Sequence, residues 1–184
     1  NADVVDRLAE AGAVLVAKTT LGALAYGDIW FGGKTRNPWN TDQGSSGSSA
    51  GSASGTAAGL FGFSLGTETY GSIVSPCMRC GTTGLRPTFG RVSRGGAMAL
   101  CWSLDKAGPI CRSVEDCMLV LHAIHGAAPR DPSSVSVPIA FDANGPVAGL
   151  RVGYAAHWFQ GRRVSDVDRR ALEALRETGV ELVE

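Results

Sequence analysis

Gly44-Ser-Ser-Gly-Ser-Ser-Ala-Gly-Ser-Ala-Ser-Gly55 contains no residue larger than serine. Two readings compete for it. A run of glycine and serine usually behaves as flexible coil between independent segments. This run, however, passes without a polar spacer into Thr56-Ala-Ala-Gly-Leu-Phe61 and a strand-like Gly62–Leu65. Small residues fill Ser48–Ala58, broken by Gly51 and Gly55, and such a surface suits a helix packed closely on a sheet. The expectation is a buried helix, and with it one layered α/β unit in place of two tethered segments.

Working outward, Asp3 is placed to cap a helix whose apolar positions Val4, Val5, Leu8 and Ala11 share a face, with Gly12 closing it. Ala13–Ala17 (AVLVA) is the unbroken apolar run of a strand buried on both faces. Residues 27–43, rich in Trp, Gly, Asn and Pro, read as an irregular loop. On the other side, Ser113-Val-Glu-Asp116 resembles a capping box that opens a helix through Cys117, Leu121 and Ile124, ended by Gly126. Pro129–Pro146 is turn-rich. Leu150–Tyr154 reads as a strand, Ser165 caps a helix through Leu175, and Val180–Val183 begins another strand. The organisation expected is a core over residues 1–131, a connection over 132–149 and the start of a βαβ unit over 150–184. With Asn1 at one end and an unfinished unit at the other, the chain reads as a portion of a longer domain, both ends missing.

Composition narrows the class. The chain has 184 residues, 44% hydrophobic and 18% charged, enough apolar material for a core. Zero formal net charge gives no argument for a polyanion or an anionic membrane as partner. No apolar run is long enough to span a bilayer, and no basic-then-apolar leader pattern is present. Cysteine occurs five times, an odd number that argues against a disulfide framework and for a reducing, cytoplasmic setting. Cys77-x-x-Cys80 lacks the second ligand pair of a zinc site and reads as structural thiols.

Three chemistries can be drawn from the motifs. Gly33-Lys34-Thr35 resembles the end of a phosphate-binding loop, but the leading glycine position is Asp28, and Trp30 and Phe31 are too bulky for a backbone cradle. Gly47-Ser-Ser-Ala-Gly51 matches the G-x-S-x-G nucleophile elbow, yet Asn37–Gln43 cannot be the hydrophobic strand that an elbow follows. His122 and His125 share a helix at i, i+3 spacing, which favours packing or a solvated face. A serine enzyme with a lysine base remains. Gly66-Thr-Glu-Thr-Tyr-Gly-Ser72 reads as a turn after the Gly62–Leu65 strand, of the kind that offers backbone N–H groups to an oxyanion.

Taken together these segments resemble the amidase signature family. Gly47-Ser-Ser-Ala-Gly-Ser-Ala53 is similar to its Gly/Ser-rich motif, and Gly66-Thr-Glu-Thr-Tyr-Gly-Ser-Ile73 to its nucleophile loop. Gly84–Ser93 (GLRPTFGRVS) and Leu104–Pro109 (LDKAGP) resemble further family segments. The resemblance implies an α/β fold with a mixed central sheet and helices on both faces. It implies Ser72 as nucleophile and Ser48, twenty-four residues earlier and after a cis peptide bond, as proton relay. Backbone N–H groups of Thr69, Tyr70, Gly71 and Ser72 would form the oxyanion hole. The implied reaction is hydrolysis of a carboxylic amide through an acyl-enzyme, with no metal or other cofactor.

Departures from the family pattern qualify this. The family's base lysine lies in a strand upstream, and Lys18, Lys34 and Lys106 do not match it, so the chain alone is expected to be inactive. Tyr70 replaces a usual glycine, Val74 a common arginine, and Glu68 the usual aspartate, where it is read as holding the loop by hydrogen bonds. The partner implied is a small-molecule amide, with a homodimer compatible and no membrane. Nucleic acid enters only if the protein is the glutamine-hydrolysing component of an aminoacyl-tRNA amidotransferase. A non-catalytic relative is the third alternative.

Overall fold

The computed structural model describes residues 1–161 and 164–184. It divides into two compact units, Asn1–Phe141 and Asp142–Glu184. In the first, α1 (Asp3–Glu10) precedes two short hairpins, β1 (Ile29–Trp30) with β2 (Gly33–Lys34) and β3 (Arg36–Asn37) with β4 (Asn40–Gly44). Then come α2 (Ala50–Ala57), β5 (Ser64–Glu68), α3 (Val74–Cys80), β6 (Thr83–Gly84), β7 (Lys106–Cys111) and α4 (Val114–Ile124). The second unit is β8 (Arg151–Gly153), α5 (Asp166–Glu177) and β9 (Glu181–Val183), with β8 and β9 parallel.

The first unit is organised by β7, which lies between β5 and β6 and runs antiparallel to both. Side chains alternate across a strand, and β7 shows the consequence. Ala107 and Cys111 join Val4 of α1 and Cys117, Val120, Leu121 and Ile124 of α4 in one core cluster. Ile110 points the other way, into a second cluster with Ala53 of α2 and Ile73, Cys77 and Cys80 around α3. The sheet therefore carries helices on both faces. Pro109 sits inside this central strand, where proline is unusual. Its carbonyl accepts from Leu85 N–H at 3.0 Å. In a strand the N–H side faces the same way, so the missing donor points just past the end of β6 and leaves the ladder with β5 intact.

The glycine–serine run forms a buried helix. A Cβ on Gly51 would lie 2.5 Å from Thr20 N, and one on Gly55 2.4 Å from the Phe61 ring. The serines bond outward, Ser52 Oγ to Leu65 O at 2.8 Å and Ser54 Oγ to Arg36 O at 2.7 Å. Small size allows close approach and the hydroxyls satisfy backbone groups on neighbouring segments.

Several expectations are corrected. Ala2, not Asp3, is the N-cap of α1. Asp3 is drawn instead into bonds with Ser93 Oγ and Arg130. Ala13–Ala17 forms no strand among the described residues, and Val14, Leu15 and Val16 are 82, 69 and 68% exposed. A strand needs a paired edge, and nothing described pairs with this one. The loop expected over 27–43 holds the two hairpins. Gly66, Thr67 and Glu68 belong to β5, so the turn begins only at Thr69. Residues up to Phe141 pack with the first unit, where Val135 N–H bonds Gly90 O and Arg91 bonds Pro138 O. No helix among the described residues is long and apolar enough to cross a membrane.

Candidate active site

Ser72 lies half-buried in the turn from β5 to α3, and Ser48 lies 4% exposed just before α2. The peptide bond between Gly47 and Ser48 is cis. A Cβ on Gly47 would stand 1.9 Å from Gly27 O, so only glycine fits there. Ser48 is fixed by its carbonyl, which accepts from Gly22 N–H at 3.0 Å. One residue on, Ser49 N–H donates to Ser72 C=O at 3.1 Å, stitching the start of α2 to the turn. Neither the Ser48 nor the Ser72 hydroxyl has a hydrogen-bond partner among the described residues. Ser49 differs: it is fully buried, and its Oγ both donates to Thr67 C=O and accepts from Thr67 N–H. Ser49 is a rivet between α2 and β5, which removes the elbow reading.

Glu68, 1% exposed, holds the far side of the turn. Its Oε2 accepts from Ile73 N–H at 2.8 Å and Val74 N–H at 3.0 Å, and Arg86 reaches Oε1 at 3.1 Å. Burial pushes this carboxyl up, but the Val74 and Ile73 N–H groups, Arg86 and a smaller contribution from Gly71 N–H outweigh it, leaving the group below its ordinary range. Its geometry is that of a clamp on the first turn of α3, where an anion also suits the unpaired amides of a helix start.

Gly71 has φ +104, a value L side chains rarely adopt, whereas Tyr70 stays outside that region. The tyrosine is thus compatible with the backbone of the turn, and the residue is 95% exposed. The backbone N–H groups of Thr69, Tyr70 and Ser72 have no acceptor among the described residues. Val74 supplies its N–H to Glu68 and a 43% exposed side chain.

Sequence reasoning gave no role to four residues that position this site. Asp105 Oδ1 accepts from Thr69 Oγ1 at 2.5 Å, while Oδ2 accepts from Leu100 and Cys101 N–H at 2.6 and 2.9 Å. Burial raises the Asp105 carboxyl, and the bonds from Thr69, Cys101 and Leu100 outweigh burial, so the group lies below its ordinary value. Lys106 Nζ donates to Thr69 C=O at 3.1 Å. Arg86 holds Glu68, and Asp28 Oδ2 accepts from Ser46 N–H at 3.0 Å. Asp105 and Lys106 stand in the motif Leu104–Pro109. No local signal finds their contacts, because Lys106 comes opposite Glu68 only through the pairing of β7 with β5. Asp28 follows Gly27 in a turn and carries no sequence signal at all.

Other candidates resolve into structure. Lys34 of the phosphate-loop lookalike is an exposed residue of a hairpin. Cys77 and Cys80 are free and buried, and burial pushes both thiols up to about 11, so they are neutral at ordinary pH. Among the described residues no cluster of His, Cys, Asp or Glu could hold a metal ion. His122 lies in the last turn of α4 and His125 caps it.

The family model described as Amidase matches residues 1–184. Among curated proteins, the A-type subunit of glutamyl-tRNA(Gln) amidotransferase from Roseiflexus castenholzii is 43% identical over 193 residues, which cover 100% of this chain and 39% of the relative. Among solved structures, the corresponding amidotransferase subunit from Thermotoga maritima superposes with a TM-score of 0.91 at 34% identity, covering 99% of this chain and 42% of that one. Native peptide amidase from Stenotrophomonas maltophilia gives 0.86 at 35% identity, covering 100% and 41%. The chain spans about two fifths of the length of these relatives. By the match along all its residues and by its α/β fold, the chain belongs to the amidase family.

Proposed function

We propose that the intact protein hydrolyses the C–N bond of a carboxylic amide through an acyl-enzyme on Ser72. The observation that carries the reading is the stitch from Ser49 N–H to Ser72 C=O, which brings two serines with free hydroxyls onto adjoining segments beside unpaired N–H groups. Ser72 Oγ attacks the amide carbon while its proton passes to Ser48 Oγ, and the Ser48 proton passes to a basic lysine. The free N–H groups of Thr69, Tyr70 and Ser72 receive the charge that develops on the carbonyl oxygen, while Gly71 N–H is turned to Glu68 and is not counted among them. The C–N bond breaks as the amine takes a proton, and water then releases the acid and restores Ser72. Lys18 and Lys34 are exposed and Lys106 is bonded to Thr69 C=O, so none of them bonds Ser48 and the 184-residue chain alone is expected to be inactive.

A fluorophosphonate probe on the intact protein tests this. The adduct is expected on Ser72 by peptide mass spectrometry and lost in Ser72→Ala. Folded protein with no adduct would favour the non-catalytic relative. The names of the similar amidotransferase subunits favour a second reading, release of ammonia from glutamine within an amidotransferase. Glutamine turnover measured beside that of simple carboxamides separates the two, and only the second reading brings tRNA in as a partner. The five free thiols support a cytoplasmic setting.

A further inference from the structure

We propose that Lys106 is a positioning residue of the oxyanion hole, acting through the peptide group between Thr69 and Tyr70. The inference rests on the acyl-enzyme reading above and adds a residue that the reading does not contain. In the β5–β7 register Lys106 stands opposite Glu68, on the face of the sheet that also carries Ile110 and packs on α2 and α3. Charge alone would pair it with that carboxylate. Glu68 is instead occupied by Arg86, Ile73 N–H and Val74 N–H, and the Lys106 ammonium reaches one residue further, to Thr69 C=O at 3.1 Å.

That carbonyl shares a planar trans peptide unit with Tyr70 N–H, and the two bonds point in opposite directions. A cation fixed on the oxygen therefore fixes the direction of the N–H. It also draws electron density toward the oxygen and makes the N–H a stronger donor, as in hydrogen-bond chains. The Thr69 hydroxyl, held by Asp105 at 2.5 Å, removes the remaining freedom of the same residue. Lys106 and its neighbour Asp105 thus grip Thr69 at carbonyl and side chain, and leave Tyr70 N–H free to face an oxyanion.

The test uses Lys106→Met, Lys106→Gln and Lys106→Arg in the intact protein. Losing a whole oxyanion donor typically costs about 100- to 1,000-fold. Weakening one is expected to lower kcat and the rate of fluorophosphonate labelling in Lys106→Met by about tenfold, with KM nearly unchanged. Lys106→Arg should recover most of the loss and Lys106→Gln, which keeps a donor without the charge, part of it. In 15N-tyrosine spectra, assigned with Tyr70→Phe, the Tyr70 amide proton should move upfield in Lys106→Met. A purely structural role would lower the melting temperature and leave that resonance and the labelling rate of folded protein in place, which would overturn the proposal. Failure of the acyl-enzyme reading has a different signature: wild-type protein then takes no label, and this role falls with it. If Lys106→Met does not fold, the Gln and Arg variants decide by the same readouts.

Discussion

At Glu68 a carboxylate with almost no contact with water holds two amides and a guanidinium, and its charge is tied to the shape of the turn that carries Ser72. Because the folded carboxyl lies below its unfolded value, its contribution to stability is complete above the unfolded pKa, about 4.3. It is lost as pH falls through the folded value. Urea midpoints of the wild type should therefore drop between about pH 5 and pH 3, and those of Glu68→Gln should drop less. At neutral pH the Gln variant should be less stable by about 1.5–3 kcal/mol, the usual range for hydrogen bonds to a charged group. Equal slopes for the two proteins would mean that another carboxylate controls acid sensitivity. The clamp was legible in the sequence as a hydrogen-bonding Glu in a glycine-rich turn. Its partner Arg86 was not, since eighteen residues separate the two and only the fold brings them together.

At the scale of elements, α4 ends on a side chain from the other end of the first unit. Arg7 of α1 donates through Nη1 to the carbonyls of Ile124, His125 and Gly126 and through Nη2 to Ala127, at 2.7–2.9 Å. Ile124 and the capping His125 are acceptors that the helix terminus leaves unpaired, Gly126 and Ala127 follow just past it, and the cation also suits the negative end of the helix dipole. Arg7→Met should lower stability by about 1–3 kcal/mol, and Arg7→Lys should recover only part, since an ammonium cannot span four carbonyls. Thermal denaturation would show it, and an unchanged midpoint would mean that water replaces the guanidinium without loss. The start of α4 was readable, because Ser113 capping Asp116 N–H is a local signal. So was the start of α5, where Ser165 and Asp168 form a full capping box. The end of α4 was not, because Arg7 lies 117 residues away. Nor was β7, in which Pro109 argues against a central strand unless the direction of its missing N–H is known.

For the molecule as a whole, the apolar row Val14–Val16 stands exposed beside a well-buried pair of core clusters. Exposed contiguous apolar surface drives association, so the isolated 184-residue chain should run above its 19.1 kDa mass in light scattering and bind a hydrophobic dye. A monodisperse monomer without dye binding would show that the row finds cover within the chain. Layering and the buried glycine–serine helix were legible because size and spacing are local properties. The sheet order was not, since it depends on which strands meet.

The alternation along β7 sets what kinds of sequence change this architecture can accumulate. Lys106 and Ile110 face the turn that bears Ser72, and Ala107 and Cys111 face α4. Removing or adding one residue within the strand would send the cation into an apolar core and an alanine to Thr69. Point substitutions there can be absorbed one at a time, but a single-residue gap cannot. The stretch from Gly96 to Ala99, between the anchored Ser93 and Arg94 and the Leu100 and Cys101 amides that hold Asp105, carries no such parity. Over the history of such chains, length should drift in that stretch while β7 keeps its count.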